Sequence, residues 1–150
     1  MSLTGGCQCG AVRYRVDGEL TGPGICHCRM CQKASGGFYG AYVSAKAHEV
    51  VWTRGEPARF QSSNKVRRGF CRACGTQLTF EAVPGVVDLA IGSLDDPAPF
   101  KPTGQFSRDA RLPWVDELAT VPERRLSYDT TGIVSYQHPD HETQAWPPQA

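Results

Sequence analysis

The chain has 150 residues, enough for one domain with its own core, and a formal net charge of +1 that sets up no global field toward nucleic acid, a membrane or an acidic partner. Its basic residues form no block, no apolar run reaches the length of a membrane span, and the opening Met1-Ser2-Leu3-Thr4-Gly5-Gly6 is no signal peptide, so a soluble, cytoplasmic protein is expected. Seven cysteines, an odd number without a secretory signal, speak against a disulfide framework and for metal held by reduced thiols.

In chain order, glycines flank Cys7-Gln8-Cys9 where the backbone must turn tightly. Ala11–Val16 alternates apolar and basic residues, the period of a half-buried strand. Thr21-Gly22-Pro23-Gly24 reads as a turn that delivers the chain into Cys26-His27-Cys28-Arg29-Met30-Cys31, and Gln32–Ser35 holds one helical turn before Gly36-Gly37 stops it. Strands are expected over Phe38–Val43, Val50–Thr53, Ala58–Ser62, Val66–Phe70, Gln77–Glu81 and Val86–Ile91, with glycine and proline turns between them. Asp95–Pro99 is a surface crossing, and Leu112–Leu118 has anchors for a short helix on the sheet. Many short strands and no long 3.6-residue pattern give an all-β domain over residues 1–135, followed by a loosely ordered tail over 136–150.

Spacing divides the cysteines into two groups. A Cys-x-Cys in an extended segment points both sulfurs to one face, and a Cys-x-x-Cys knuckle converges its sulfurs through a turn. Cys7-Gln8-Cys9-Gly10 and Cys71-Arg72-Ala73-Cys74-Gly75 together offer four thiolates, the number that a closed, tetrahedral structural zinc requires. Cys26, Cys28 and Cys31 are three, and three protein ligands with one open position are the catalytic kind. His27 or His48 is the alternative fourth ligand, which would make a second structural site; His27 stands between two ligands, where its ring should point away from their face. A fourth, exogenous thiolate suits the open position, and a metal-held thiolate exists at neutral pH, so the expected chemistry is addition of a thiol to a carbonyl carbon. Arg29, Lys33, Arg67 and Arg68 are candidates for the carboxylates of a small acidic thiol, against a solvated basic face as the plainer role. Phe38, Tyr39 and Tyr42 are set between a pocket wall and ordinary core packing.

Four segments occur in order: Gly6-Cys7-Gln8-Cys9-Gly10-Ala11-Val12-Arg13-Tyr14, Cys26-His27-Cys28-Arg29-Met30-Cys31-Gln32-Lys33, Phe70-Cys71-Arg72-Ala73-Cys74-Gly75-Thr76 and Ile91-Gly92-Ser93-Leu94-Asp95-Asp96-Pro97. From about Gly6 to Trp114 the chain resembles the glutathione-dependent formaldehyde-activating enzyme family, which also contains centromere-protein-V-like proteins. The resemblance implies an Mss4-like fold of packed antiparallel sheets stapled by zinc knuckles, with minor short helices. It implies two zinc ions, a structural one on Cys7, Cys9, Cys71 and Cys74 and a catalytic one on Cys26, Cys28 and Cys31. The implied activity is that of a carbon–sulfur lyase joining glutathione reversibly to formaldehyde as S-hydroxymethylglutathione. Gln105 stands where many relatives carry a histidine. Two other readings are a non-catalytic zinc-stabilised binding module or glutathione carrier, and a redox sensor built on Cys26, Cys28 and Cys31.

Overall fold

Tyr14, fully buried, anchors the smaller of two sheets. Its strand β2 (Arg13–Val16) lies between β1 (Leu3–Gly6) and β5 (Val50–Arg54), antiparallel to both. The Tyr14 ring meets Trp52 edge-on at 5.7 Å, and its hydroxyl lies 2.8 Å from Ser93 Oγ, so the polar tip of a buried aromatic is satisfied. Val12, Val16, Leu20, Val43, Leu78, Leu89 and Leu94 complete a core that joins this sheet to the larger one. Each such aliphatic side chain contributes about 1.5–3 kcal/mol by leaving water.

The larger sheet has seven strands: β3 (Thr21–Cys26), β4 (Gly40–Lys46), β6 (Ala58–Gln61), β7 (Arg67–Phe70), β8 (Gln77–Glu81), β9 (Val86–Ala90) and β10 (Gly104–Phe106), in the spatial order β10-β3-β4-β9-β8-β7-β6. This computed structural model describes residues 3–146. The all-β expectation of antiparallel sheets with minor helices is what the chain adopts, with one exception: β10 runs parallel to β3.

Three local expectations are corrected. Thr21-Gly22-Pro23-Gly24 does not turn the chain; it is the first part of β3, with its register shifted between Thr21 and Gly24. Gly22 has φ +59°, so the glycine-proline signal marks a bulge within a strand. The single helical turn begins earlier than expected, as α1 (Arg29–Ser35), because the Cys28 side chain caps it; Gly36 ends it in the left-handed region. The short helix expected at Leu112–Leu118 is a 3-10 turn over Val115–Thr120 without buried residues, and Trp114 packs edge-on against Phe38 at 4.8 Å.

Toward its end the chain returns to the first cysteine loop. The His138 amide donates to Gln8 O (2.7 Å), Glu142 bonds Arg13 (2.9 Å), and Arg54 donates to Thr143 Oγ1 (3.0 Å). Pro147 and Pro148, which belong to the expected tail, lie outside the described residues. Among the described residues no helix is long and apolar enough to cross a membrane.

Candidate metal centre

The sulfurs of Cys7, Cys9, Cys71 and Cys74 lie within 4.8 Å of one another. The first pair is not extended: Gly10 N–H donates to Cys7 O (3.0 Å) and Cys7 N–H to Val12 O (2.9 Å), so Cys7 and Cys9 converge through a turn and not through strand alternation. Cys71 and Cys74 form the matching turn, closed by Gly75 N–H to Cys71 O (2.8 Å). Gly10 (φ +73°) and Gly75 (φ +80°) both take the left-handed conformation that lets the chain fold back beneath the sulfurs. Thr76 ties the loops together: its hydroxyl accepts from Gln8 N–H (3.1 Å) and stands 3.2 Å from Cys74 Sγ.

Metal–sulfur bonds of about 2.3 Å give a tetrahedron with edges of about 3.8 Å. The Cys7–Cys9 and Cys9–Cys71 sulfurs are 3.6 and 3.8 Å apart, spacings that fit such edges and are far too long for a disulfide. Burial pushes the Cys7 thiol up to about 12. Burial also acts to raise Cys74, but hydrogen bonds from Thr76 outweigh it and bring that thiol down to about 6. Four thiols this close, two of them buried, cannot all ionise without a cation among them, and so the donor set fits a metal.

Cys26, Cys28 and Cys31 come from a strand end, a helix cap and the first turn of α1, with their sulfurs also within 4.8 Å of one another. Cys31 N–H donates to Cys28 Sγ (3.4 Å). Although burial opposes it, this and other hydrogen bonds hold the Cys28 thiol below its ordinary value. Burial pushes Cys31 up to about 12 despite Arg68, whose Nη2 donates to Cys31 Sγ (3.4 Å).

Neither histidine joins the trio. His27 is fully buried, with its ring bonded through Nε2 to Gln105 Oε1 (2.9 Å) and packed edge-on to Tyr39 at 5.8 Å. Gln105 thus sits beside the cysteine loop on β10, whose Phe106 carbonyl also accepts from His27 N–H (3.0 Å). His48 is exposed, with its Nε2 3.9 Å from Glu49 Oε1.

Of the four basic candidates, Arg68 departs most from a solvated face. It is 1% exposed, and each guanidinium nitrogen is answered: Nε by Ser62 Oγ (2.9 Å), Nη1 by Tyr42 OH (2.8 Å) and Nη2 by Cys31. Arg67 pairs with Glu81 (2.8 Å), while Arg29 donates to Gln32 Oε1 (2.5 Å). Arg29 and Lys33 border a separate, open groove whose shared wall is Met30.

The trio opens on a cavity of about 380 Å³ with apolar walls from Ile25, Met30, Val66, Phe80 and Phe106. Tyr42 lines it, and its oxygen accepts from both Arg68 and Gln77 Nε2 (2.7 Å). Ser44 and Asp88 line it too, and Ser44 Oγ donates to Asp88 Oδ1 (2.5 Å). The sequence reading passed over this pair. Its one signal was a lone carboxylate inside the apolar run Val86-Val87-Asp88-Leu89-Ala90-Ile91.

The family described as "Glutathione-dependent formaldehyde-activating enzyme" matches residues 2–108. A curated protein of Halomonas elongata, named "Putative glutathione-dependent formaldehyde-activating enzyme", is 34% identical over 86 residues, which cover 52% of this chain and 55% of that protein. The match thus spans little more than half of that relative. A crystal structure of a Rhodobacter sphaeroides protein superposes with a TM-score of 0.55 at 21% identity, covering 68% of this chain and 98% of that one, a likeness of fold. With its model matched over most of the sequence, the chain belongs to the glutathione-dependent formaldehyde-activating enzyme family.

Proposed function

We propose that this family member is a zinc-dependent enzyme of the carbon–sulfur lyase type, acting on the adduct of glutathione or a similar thiol with formaldehyde or another small aldehyde. The observation that carries the reading is the contrast between the two clusters. Cys7, Cys9, Cys71 and Cys74 offer four thiols, a number that fills a tetrahedral metal, although Cys7 and Cys74 also border open clefts, whereas Cys26, Cys28 and Cys31 offer three and face an apolar-walled cavity. The four would hold a structural zinc and the three a catalytic one.

Zinc bound at the trio supplies a Lewis acid that keeps a thiol ionised at neutral pH. In the net reaction the thiol sulfur bonds the carbonyl carbon, the C=O π pair goes to oxygen, and the proton lost from sulfur ends on that oxygen. Arg68 holds Cys31 in place and offsets the negative charge of three thiolates. The apolar walls limit water around the reacting atoms. Tyr42 receives two hydrogen bonds on its oxygen, so its own O–H hydrogen remains for the aldehyde oxygen, where negative charge develops.

Zinc per chain, with zinc-edge X-ray absorption in the presence and absence of glutathione, tests the reading. Two zincs are expected, with an added sulfur ligand at one when glutathione is present, and adduct formation faster than the spontaneous reaction. Two zincs and sulfur binding without acceleration would leave a carrier and overturn the enzyme. A single zinc, with Cys26, Cys28 and Cys31 open to alkylation, would favour the redox sensor.

A further inference from the structure

One row of side chains crosses the larger sheet beneath the cavity. Ser44 pairs in register with Asp88, Asp88 with Phe80, and Phe80 with Arg68. Cys26 faces Gly40, four positions along β4 from Ser44, a separation of about 13 Å at 3.3 Å per residue. The cavity therefore has two ends, with the cysteine trio at one and the Ser44–Asp88 pair at the other. Gly22 and Gly24 line it without side chains, which keeps the space between the ends free.

The charges along this cavity are unequal in availability. Among the described residues lining it, Arg68 is the one cation, and all three of its nitrogens are already committed. Asp88 is the one carboxylate; only Ser44 bonds it, and its Oδ2 has no protein donor. Burial raises its carboxyl above the ordinary value, a penalty that an arriving cation would relieve. A ligand's carboxylate finds no free partner here, but an ammonium does.

We propose that Ser44 and Asp88 form a recognition subsite for the ammonium group of a thiol whose sulfur lies at Cys26, Cys28 and Cys31. The subsite rests on the thiol-binding reading of that trio and specifies the kind of thiol. A short aminothiol cannot span the two ends. A γ-glutamyl thiol can, because its ammonium lies roughly 10 Å from its sulfur when extended. Its glycyl carboxylate then lies toward the sulfur end, where Met30 borders the groove of Arg29 and Lys33, while the carboxylate on the carbon that bears the ammonium stays at the Ser44–Asp88 end and must face solvent, since no cation there is free to meet it.

The test is calorimetric titration of the zinc-loaded full chain with glutathione and with N-acetylglutathione, which keeps the thiol and both carboxylates but has no ammonium. Wild type should bind glutathione about tenfold more tightly, the worth of one charge-assisted hydrogen bond. Asp88→Asn should bind both thiols at the weaker level, with zinc content unchanged. Equal affinities in wild type, or a preference that survives Asp88→Asn, would overturn the subsite and leave the thiol site standing. Failure of wild type to bind either thiol would overturn both. The wild-type comparison needs no variant, so the test survives even if Asp88→Asn folds poorly.

Discussion

A guanidinium buried as completely as that of Arg68 is costly unless its donors are met, and here a thiol, a phenol and a serine meet them. The arrangement turns Tyr42 into a donor toward the cavity, because Arg68 and Gln77 occupy its oxygen. Tyr42→Phe should therefore lower kcat for adduct formation by about 10²-fold, the usual loss for one donor to a developing oxyanion, while zinc content stays at the wild-type level. An unchanged kcat would remove Tyr42 from the chemistry. Asp88 makes an opposite kind of prediction, one of stability. Its folded carboxyl is raised above the ordinary 3.8 by burial, so the folded state binds its proton more tightly than the unfolded chain does. The favourable contribution is complete below about 3.8 and is lost as pH rises through the folded value. Asp88→Asn should remove that loss and be as stable as wild type, or more so, at neutral pH, although it binds the thiol less well. Asp95 carries the reverse sign: burial raises it, but Arg13 and Thr4 prevail and lower it, so its contribution holds above about 3.8 and fades as pH falls. Unfolding curves of wild type and Asp88→Asn across pH 3–8 check both signs, and a steeper neutral-side decline in the variant would contradict the assignment.

At the scale of elements, the two cysteine groups are built differently and should fail differently. The four-cysteine group joins two turns far apart in sequence, so its loss opens a long loop and the core contacts of Cys7 and Cys71. The trio is local, carried on the end of β3 and on α1. Cys71→Ser should give a chain that fails to fold cooperatively, whereas Cys28→Ser should fold, hold one zinc fewer and lose activity. Circular dichroism melts with zinc analysis distinguish these outcomes, and equal damage from both substitutions would erase the division. The grouping of the sulfurs into a set of four and a set of three was legible from spacing. The strands β4, β5, β8 and β9 were legible from their β-branched and aromatic residues, and β6 and β7 as short runs between turn residues. β3 was hidden because Gly22-Pro23-Gly24 has the composition of a turn, and only pairing with β4 and β10 makes it a strand. β10 has three residues, all exposed, too few to carry a period. Arg13 and Arg68 looked like the polar side of alternating strands; partners distant in sequence allow them to be buried.

Across the whole molecule, the least legible feature is the return of residues 137–146 to the first cysteine loop. Nothing in their composition announces it, because the contacts are polar and partly backbone and need no apolar pattern. Yet they touch the place where stability is concentrated. Arg13 is almost fully buried, and Asp95 meets it with two bonds of 2.8 and 2.5 Å while Glu142 supplies further ones. His138 is buried and is bonded to the carbonyl of Gln8, the residue between Cys7 and Cys9. Removing everything after residue 135 would strip Arg13 of Glu142 and Arg54 of Thr143 and would leave the outer face of the four-cysteine group to water. The cost should be about 1–3 kcal/mol, or roughly 3–10 °C in Tm for a chain of this size. Chelator should then draw zinc from Cys7, Cys9, Cys71 and Cys74 faster than in the full chain, while the rate from Cys26, Cys28 and Cys31, which the returning segment does not touch, stays the same. Glu142→Gln, which removes one charge and keeps the segment, should show a smaller part of the same loss. If the truncated chain melts and releases zinc like the full one, the segment merely rests on the surface, and the domain ends where the polar composition begins.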